Sequence, residues 1–326
     1  MSQVLLRWSE EFRPNLISQC ILPDAIKEEA TNMVANGADI PDLLFVGPPG
    51  TGKTTLAMAL IDELGADFIK YNGSNGSLNI EALREEIDFF GNTSTIGVNH
   101  IESKTDLKFV FIDEADGLGH LIQPALRSVM EDYPRIRFIL TANYMDKIIE
   151  PIQSRCATID FNFSPSDKKV LVNQFAHRCV GILNAKKVEY DTGALISVIS
   201  KFYPDNRQII NTLHRYSNRY GKIDQGIVEQ LNVRYDELFE SMFNMDIVAV
   251  KQWVCDNVNQ SIYNTLWREG HTRIPNDMLP NWIIALGDGQ KGFGTTPNIE
   301  LSVACALTKF MSDVPKGYVY EKPARS

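Results

Sequence analysis

The sequence lacks any pair of cysteines close enough to act together. Its five, Cys20, Cys156, Cys179, Cys255 and Cys305, are far apart, odd in number and never in a C-x-x-C spacing. That argues against a disulfide framework or a cysteine metal site and fits a reducing interior. The five histidines show no H-E-x-x-H spacing, which removes a zinc-protease centre. No apolar run approaches the roughly 18 residues of a membrane-spanning helix. The start, Met1-Ser2-Gln3-Val4-Leu5-Leu6-Arg7, has no basic stretch followed by a long apolar one, so no secretory leader is expected. Internal repeats and low-complexity tracts are missing as well. So is an excess of positive charge, the net being −9. That total speaks weakly against nucleic-acid binding, although an acidic chain can still carry one basic face.

What is present is a soluble globular composition, 44% hydrophobic and 22% charged over 326 residues, long enough for two or three domains. Its first two-fifths alternates strand and helix. Strands are expected at 43–46, 68–71, 107–112, 136–141 and 157–161. Ala57, Leu60, Ile61 and Leu64 recur at helical spacing and are stopped by Gly65; Ile80, Leu83, Ile87 and Phe90 mark a second helix; Ile122, Ala125, Leu126, Val129 and Met130 mark a third. Such alternation predicts a parallel sheet covered on both faces. Strand signals stop near Ser164-Pro165-Ser166-Asp167, a linker entering a helix. A small helical unit then runs to about 221–226 and a second fills the rest, with 287–297 expected as a glycine-rich loop and a frayed tail after Pro315.

Gly47-Pro48-Pro49-Gly50-Thr51-Gly52-Lys53-Thr54, followed by Thr55, fits G-x-x-x-x-G-K-[ST] between a strand and a helix. Glycines let backbone N–H groups turn inward around phosphate oxygens, and the helix N-terminus adds partial positive charge. Lys53 would reach the β- and γ-phosphates of ATP, and Thr54 would coordinate Mg²⁺. Farther on, Phe109-Val110-Phe111-Ile112-Asp113-Glu114-Ala115-Asp116 is an apolar strand ending in carboxylates. Asp113 would hold Mg²⁺ through water and Glu114 would polarise the attacking water. Asn143 ends the next strand, where an α/β sheet binds its ligands, and would contact the γ-phosphate or the water; an asparagine there is also a common turn former.

With these pieces the chain resembles AAA+ ATPases and, within them, the clamp-loader family of replication factor C small subunits and their phage counterparts. Phe12-Arg13-Pro14 is similar to the family's N-terminal signature beside the adenine. Asp113-Glu114-Ala115-Asp116 resembles its second nucleotide motif, and Gln123-Pro124-Ala125-Leu126-Arg127 with Met130-Glu131 its central helix. Ser154-Arg155-Cys156 is similar to its SRC motif, whose arginine enters the neighbouring subunit's ATP site. Pro204-Asp205-Asn206-Arg207 resembles the second sensor, with Arg207 on the γ-phosphate. Tyr203-Pro204-Asp205-Asn206-Arg207 departs from the cellular Gly-Asp-x-Arg and resembles the phage members most. Read without the family, an arginine before a strand is usually a solvated surface residue.

The resemblance implies an α/β AAA+ domain over 1–163, a helical lid over 164–228 and a helical collar over 229–326. It implies a DNA-stimulated ATP hydrolase that takes ATP and Mg²⁺ and works in the cytoplasm, the host's if phage-encoded. The implied partners are a sliding clamp, primer–template DNA and further subunits in a pentameric ring, with no membrane. It also implies that the helix carrying Arg84 faces DNA, while Glu81, Glu85, Glu86 and Asp88 equally suit a solvated acidic face. Lys104 and Lys108 are further basic candidates, and Asn72 is in position to restrain Glu114. Alternative readings are a branch-migration motor, a helicase loader or a non-hydrolysing scaffold subunit.

Overall fold

The computed structural model describes residues 7–37, 39–75, 80–92, 105–119, 121–258, 262–293, 298–315, 318 and 320. The chain divides into two compact units, Met1–Asp224 and Gln225–Ser326.

The first unit opens with α1 (Trp8–Glu11) and α2 (Asp24–Asn36). The alternating part follows as β1 (Leu43–Val46), α3 (Lys53–Leu64), β2 (Phe68–Asn72), α4 (Ile80–Asn92), β3 (Lys108–Asp113), α5 (Ile122–Asp132), β4 (Ile136–Ala142), α6 (Glu150–Gln153) and β5 (Ala157–Asp160). All five strands are parallel, in the order β2-β3-β4-β1-β5, and each expected strand is found within a residue or two. Side chains alternate across a strand, and here both sets are apolar. Leu43, Phe45, Phe109, Phe111 and Ile139 join the buried faces of α2 and α3. Leu44, Val46, Val110, Ile112, Phe138 and Leu140 join Leu83 and Ile87 of α4 and Leu126, Val129 and Met130 of α5. Burying one such side chain stabilises by about 1.5–3 kcal/mol, so the two clusters fix which helix covers which face.

The chain leaves the sheet into α7 (Pro165–Ala185), where Ser164 accepts the Asp167 N–H as the cap and Pro165 takes the first turn. It continues through β6 (Glu189–Tyr190), α8 (Thr192–Phe202), α9 (Asn206–Tyr220) and β7 (Lys222–Ile223). Strands β6 and β7 pair in parallel. This corrects the expectation that strand structure ends near Ser164; two residues are too short to show a period.

The second unit is helical: α10 (Gln225–Phe243), α11 (Ile247–Asn257), α12 (Ile262–Arg273), α13 (Leu279–Phe293) and α14 (Ile299–Asp313), around buried Trp282, Phe239 and Phe310. The loop expected from 287 is instead helix as far as Phe293. A Cβ on Gly289 would meet Tyr263 Oη at 2.6 Å and Ala306 Cβ at 2.7 Å, so this glycine allows close helix packing rather than a break. Ser302 completes the contact by donating to the Gly289 carbonyl at 2.8 Å. Residues 294–297 lie outside the described set. Of the tail expected to fray, Tyr318 and Tyr320 are described, and their rings pack on Phe243 with centroids 5.2 and 4.6 Å away. No described helix is long and apolar enough to cross a membrane.

Candidate functional site

The carboxyl ends of β1, β3 and β4 converge on one edge of the sheet, where α/β proteins bind ligands. After β1 the chain turns through Gly47, Pro48, Pro49, Gly50, Thr51 and Gly52 into α3, whose first three residues are Lys53, Thr54 and Thr55. Gly50 has φ +76°, and a Cβ there would fall 2.2 Å from Asp205 Oδ1, so both conformation and contact require glycine. Thr51 Oγ1 donates to the Pro48 carbonyl at 2.9 Å. Lys53 Nζ donates to the Gly47 carbonyl at 2.6 Å, the Pro48 carbonyl at 2.8 Å and Asn143 Oδ1 at 3.0 Å. An ammonium has three donors, and these three acceptors use them all. Burial pushes the Lys53 pKa down to about 8, against the pull of Asp116 and Asp113.

Across from the loop, β3 delivers Asp113. Its Oδ1 accepts the hydroxyls of Thr54 at 2.8 Å and Thr141 at 2.7 Å, and its Oδ2 lies 3.2 Å from Lys70 Nζ. Burial raises its pKa, but the Thr141 hydroxyl, Lys70 and the Thr54 hydroxyl outweigh burial and leave it below the ordinary carboxylate range. A hydroxyl and an ionised carboxylate side by side are hard oxygen donors. They fit Mg²⁺, which takes one or two protein ligands and keeps several waters. Glu114 follows at φ 56°, left-handed for a residue with a side chain. Its N–H is held by Thr141 Oγ1 at 2.9 Å, and Gly73 sits so close that a Cβ would meet the Glu114 carbonyl oxygen at 2.5 Å. Strain of this kind persists only where the surroundings fix it. Asn143 receives Lys53 through its side chain and gives its backbone N–H to Asp116. Burial raises the Asp116 pKa.

The helical half of this unit reaches the same loop. Asp205 caps α9 by accepting the Gln208 N–H at 2.9 Å, and the Asn206 N–H donates to the Gly50 carbonyl at 3.2 Å. Arg207, exposed in the first turn of α9, lies close enough for its charge to lower the Lys53 pKa further. The N-terminal segment is tied to these helices. The Trp8 ring stacks on His214 of α9 at 4.6 Å, Lys186 at the end of α7 pairs with Glu11 at 2.5 Å, and Arg178 donates to the Phe12 carbonyl. Arg13, just before Pro14, pairs with Glu10 at 2.6 Å.

Arg155 lies at the other edge. Ala157 opens β5 opposite Leu43, the first residue of β1, whereas the glycine-rich loop follows Val46, the last. Arg155 therefore flanks the amino ends of the strands. There it pairs with Glu131 of α5, which also takes Arg127 at 3.2 Å. Arg84 is exposed on α4 among Glu81, Glu85, Glu86 and Asp88, and Asp88 accepts the Tyr133 hydroxyl at 2.5 Å. Lys108, a basic candidate for DNA contact in the sequence, is buried and donates to the Phe90 carbonyl near the end of α4. Lys104 lies outside the described residues. Asn72 accepts the Ser74 N–H through Oδ1 at 2.8 Å.

The structure thus gathers Lys53, Thr54, Asp113, Glu114 and Asn143 with Arg207 alongside, and sets Arg155 and Arg84 apart. Sequence reasoning missed two participants, Thr141 and Lys70. A threonine in an otherwise apolar strand and a lysine in the strand beside Asp113 were the available signals.

Residues 43–163 match the family described as ATPase family associated with various cellular activities, and residues 167–229 match the lid domain of the sliding-clamp-loader large subunit. The chain is 32% identical over 257 residues to replication factor C small subunit 1 of Pyrobaculum arsenaticum, covering 76% of this chain and 74% of that one. It is 36% identical over 245 residues to the replication factor C small subunit of Saccharolobus solfataricus, covering 73% and 70%. Similarity to the sliding-clamp-loader large subunit of Escherichia phage RB69 is 29% over 323 residues, 94% of this chain and 95% of that one. Among solved structures, the Thermotoga maritima RuvB Holliday junction branch migration motor aligns at TM-score 0.50 and 19% identity, covering 67% and 71%; this likeness extends to the fold alone.

Proposed function

Because this chain belongs to the AAA ATPases and, within them, to the clamp-loader family of replication factor C small subunits and phage sliding-clamp-loader subunits, we propose that it is one ATPase subunit of a pentameric ring that opens a sliding clamp and places it on primer–template DNA in the cytoplasm. The observation that best supports the shared-site part of this reading is the separation of functional groups along the sheet. The phosphate cradle lies at the carboxyl ends and Arg155 at the amino end, so head-to-tail packing would bring one subunit's Arg155 to the next subunit's nucleotide.

In this reading Gly47, Pro48, Pro49, Gly50, Thr51, Gly52, Lys53, Thr54 and Thr55 hold the triphosphate, with Arg13 and Pro14 near the adenine. Lys53 exchanges the carbonyls of Gly47 and Pro48 for phosphate oxygens. Thr54 and Asp113 hold Mg²⁺, which when bound neutralises charge on the phosphate oxygens. Glu114, fixed by Thr141 and Gly73, takes the proton of the attacking water. Asn143 orients that water or the γ-phosphate, and Arg207 closes over the phosphates from the lid. Arg155 in trans stabilises the charge that develops in transfer. Residues 1–163, 164–228 and 229–326 serve as the ATPase domain, the lid and the collar that holds subunits together. Arg84 touches DNA phosphate.

The test is steady-state ATP hydrolysis by the assembled complex, with and without the clamp and primer–template DNA. Hydrolysis should rise with each and most with both. A rate indifferent to both would overturn the clamp-loading assignment.

A further inference from the structure

We propose that Lys70 is a built-in counter-ion of the metal-binding carboxylate: it holds Asp113 ready and weakens Mg²⁺ binding by competing for the same carboxylate. The inference rests on the reading of Asp113 as a metal ligand. Lys70 reaches this place through strand register. In β2 it stands opposite Phe111, and Asn72 stands opposite Asp113. Residues paired across adjacent strands share a face, so Lys70, Asn72, Phe111 and Asp113 line one side of the sheet, the side covered by α3 and Thr54. The ammonium lies 3.2 Å from Asp113 Oδ2 and 4.9 Å from the centroid of the Phe111 ring.

The two carboxylate oxygens are divided. Oδ1 carries the hydroxyls of Thr54 and Thr141 at 2.8 and 2.7 Å, and Oδ2 carries Lys70. Asp113 keeps only 16% of its side chain exposed, so a paired Oδ2 matters: a buried carboxylate without a cation is costly. A divalent ion near the same group and an ammonium in contact with it repel each other. The one free to move is Lys70, whose side chain is 38% exposed and has a flexible four-carbon stem. The Phe111 face is a second partner of the same ammonium, since an aromatic face attracts a cation. Mg²⁺ binding therefore includes the cost of displacing Lys70, and loss of the metal is assisted by its return. The metal–nucleotide product is held less tightly than by Thr54 and Asp113 alone. Lys70 touches no reacting atom and acts as a positioning residue.

The test is a Mg²⁺ titration of the assembled complex at fixed N-methylanthraniloyl-ADP, read by fluorescence anisotropy, together with melting curves without Mg²⁺. Lys70→Met keeps length and apolar packing and removes the charge. It should lower the half-saturating Mg²⁺ concentration by about threefold to fivefold, the scale of a partly screened ion pair, and lower the metal-free melting temperature. Lys70→Arg should stay near wild type in both. A purely structural lysine would change the melting temperature and leave the Mg²⁺ midpoint in place, and that result in a folded Lys70→Met protein overturns the proposal. If Lys70→Met does not fold, Lys70→Gln is titrated with the same expectation. Asp113→Asn separates the two levels. If it leaves the midpoint unmoved, the metal role of Asp113 fails; if it moves the midpoint and the Lys70 variants do not, only the role of Lys70 fails.

Discussion

At the carboxyl ends of β1, β3 and β4, Lys53 and Asp113 are satisfied by neighbours in the same unit. Lys53 spends its three donors on Gly47, Pro48 and Asn143, and Asp113 is held by Thr54, Thr141 and Lys70. At the amino end of β5 the arrangement is looser. Arg155 pairs with Glu131, itself shared with Arg127, at a surface where each partner remains partly exposed. Exposed ion pairs of this kind are worth about 0–1 kcal/mol, so Arg155 can leave Glu131 at small cost. The proposed cradle holds its charged groups with its own atoms. The proposed trans role asks Arg155 only to give up a weak surface pair.

The largest expected effect separates the two regions outright. Arg155→Ala should reduce turnover by about 10³- to 10⁵-fold, the scale of a trans arginine, while nucleotide affinity measured by direct titration stays near wild type. An equal loss in affinity and turnover would move Arg155 into ground-state binding and erase the contrast. A somewhat smaller effect is expected within the cradle. Glu114→Gln preserves shape and the Thr141 contact to its N–H but removes the base. Hydrolysis should fall about 10²- to 10⁴-fold with nucleotide binding retained, and a wild-type rate would remove Glu114 from its role. The smallest effect lies outside both regions. Arg84→Ala should lower the slope of log affinity for duplex DNA against log salt by about one, uniformly across sequences and with nucleotide binding unchanged. An unaltered slope would place Arg84 on the solvated acidic face that its neighbours suggest.

These expectations depend unequally on sequence and structure. The geometry of the glycine-rich loop was legible because its glycines and Lys53 are contiguous and lie between a strand and a helix, so local order implies geometry. The strand ending in Asp113 and Glu114 stood out because it accompanies the glycine-rich loop; alone, an apolar strand ending in carboxylates is as readily a solvated strand end. Thr141 and Lys70 were not legible, because their contacts with Asp113 depend on which residues face each other across β2, β3 and β4, and register is a property of the assembled sheet. The burial of Lys108 beneath Phe90 was hidden for the same reason: charge in a sequence says nothing of which carbonyl it meets. The helix through Gly287 and Gly289 failed as a loop because glycine can mark either flexibility or close packing, and only the neighbours Tyr263 and Ala306 decide between them. The pairing of Arg155 with Glu131 joins residues from a loop and α5 that no local pattern links.

The claim that the site is shared between chains is tested most directly by mixing. Arg155→Ala and Lys53→Ala proteins are each expected to be inactive when assembled alone. In mixed rings some interfaces pair an intact Lys53 on one chain with an intact Arg155 on its neighbour, so ATP hydrolysis should return in part, with a maximum at an intermediate ratio, once mass measurement confirms that mixed rings form. If mixed rings form and no ratio restores hydrolysis, Arg155 does not act across the interface and the account of a shared site is contradicted.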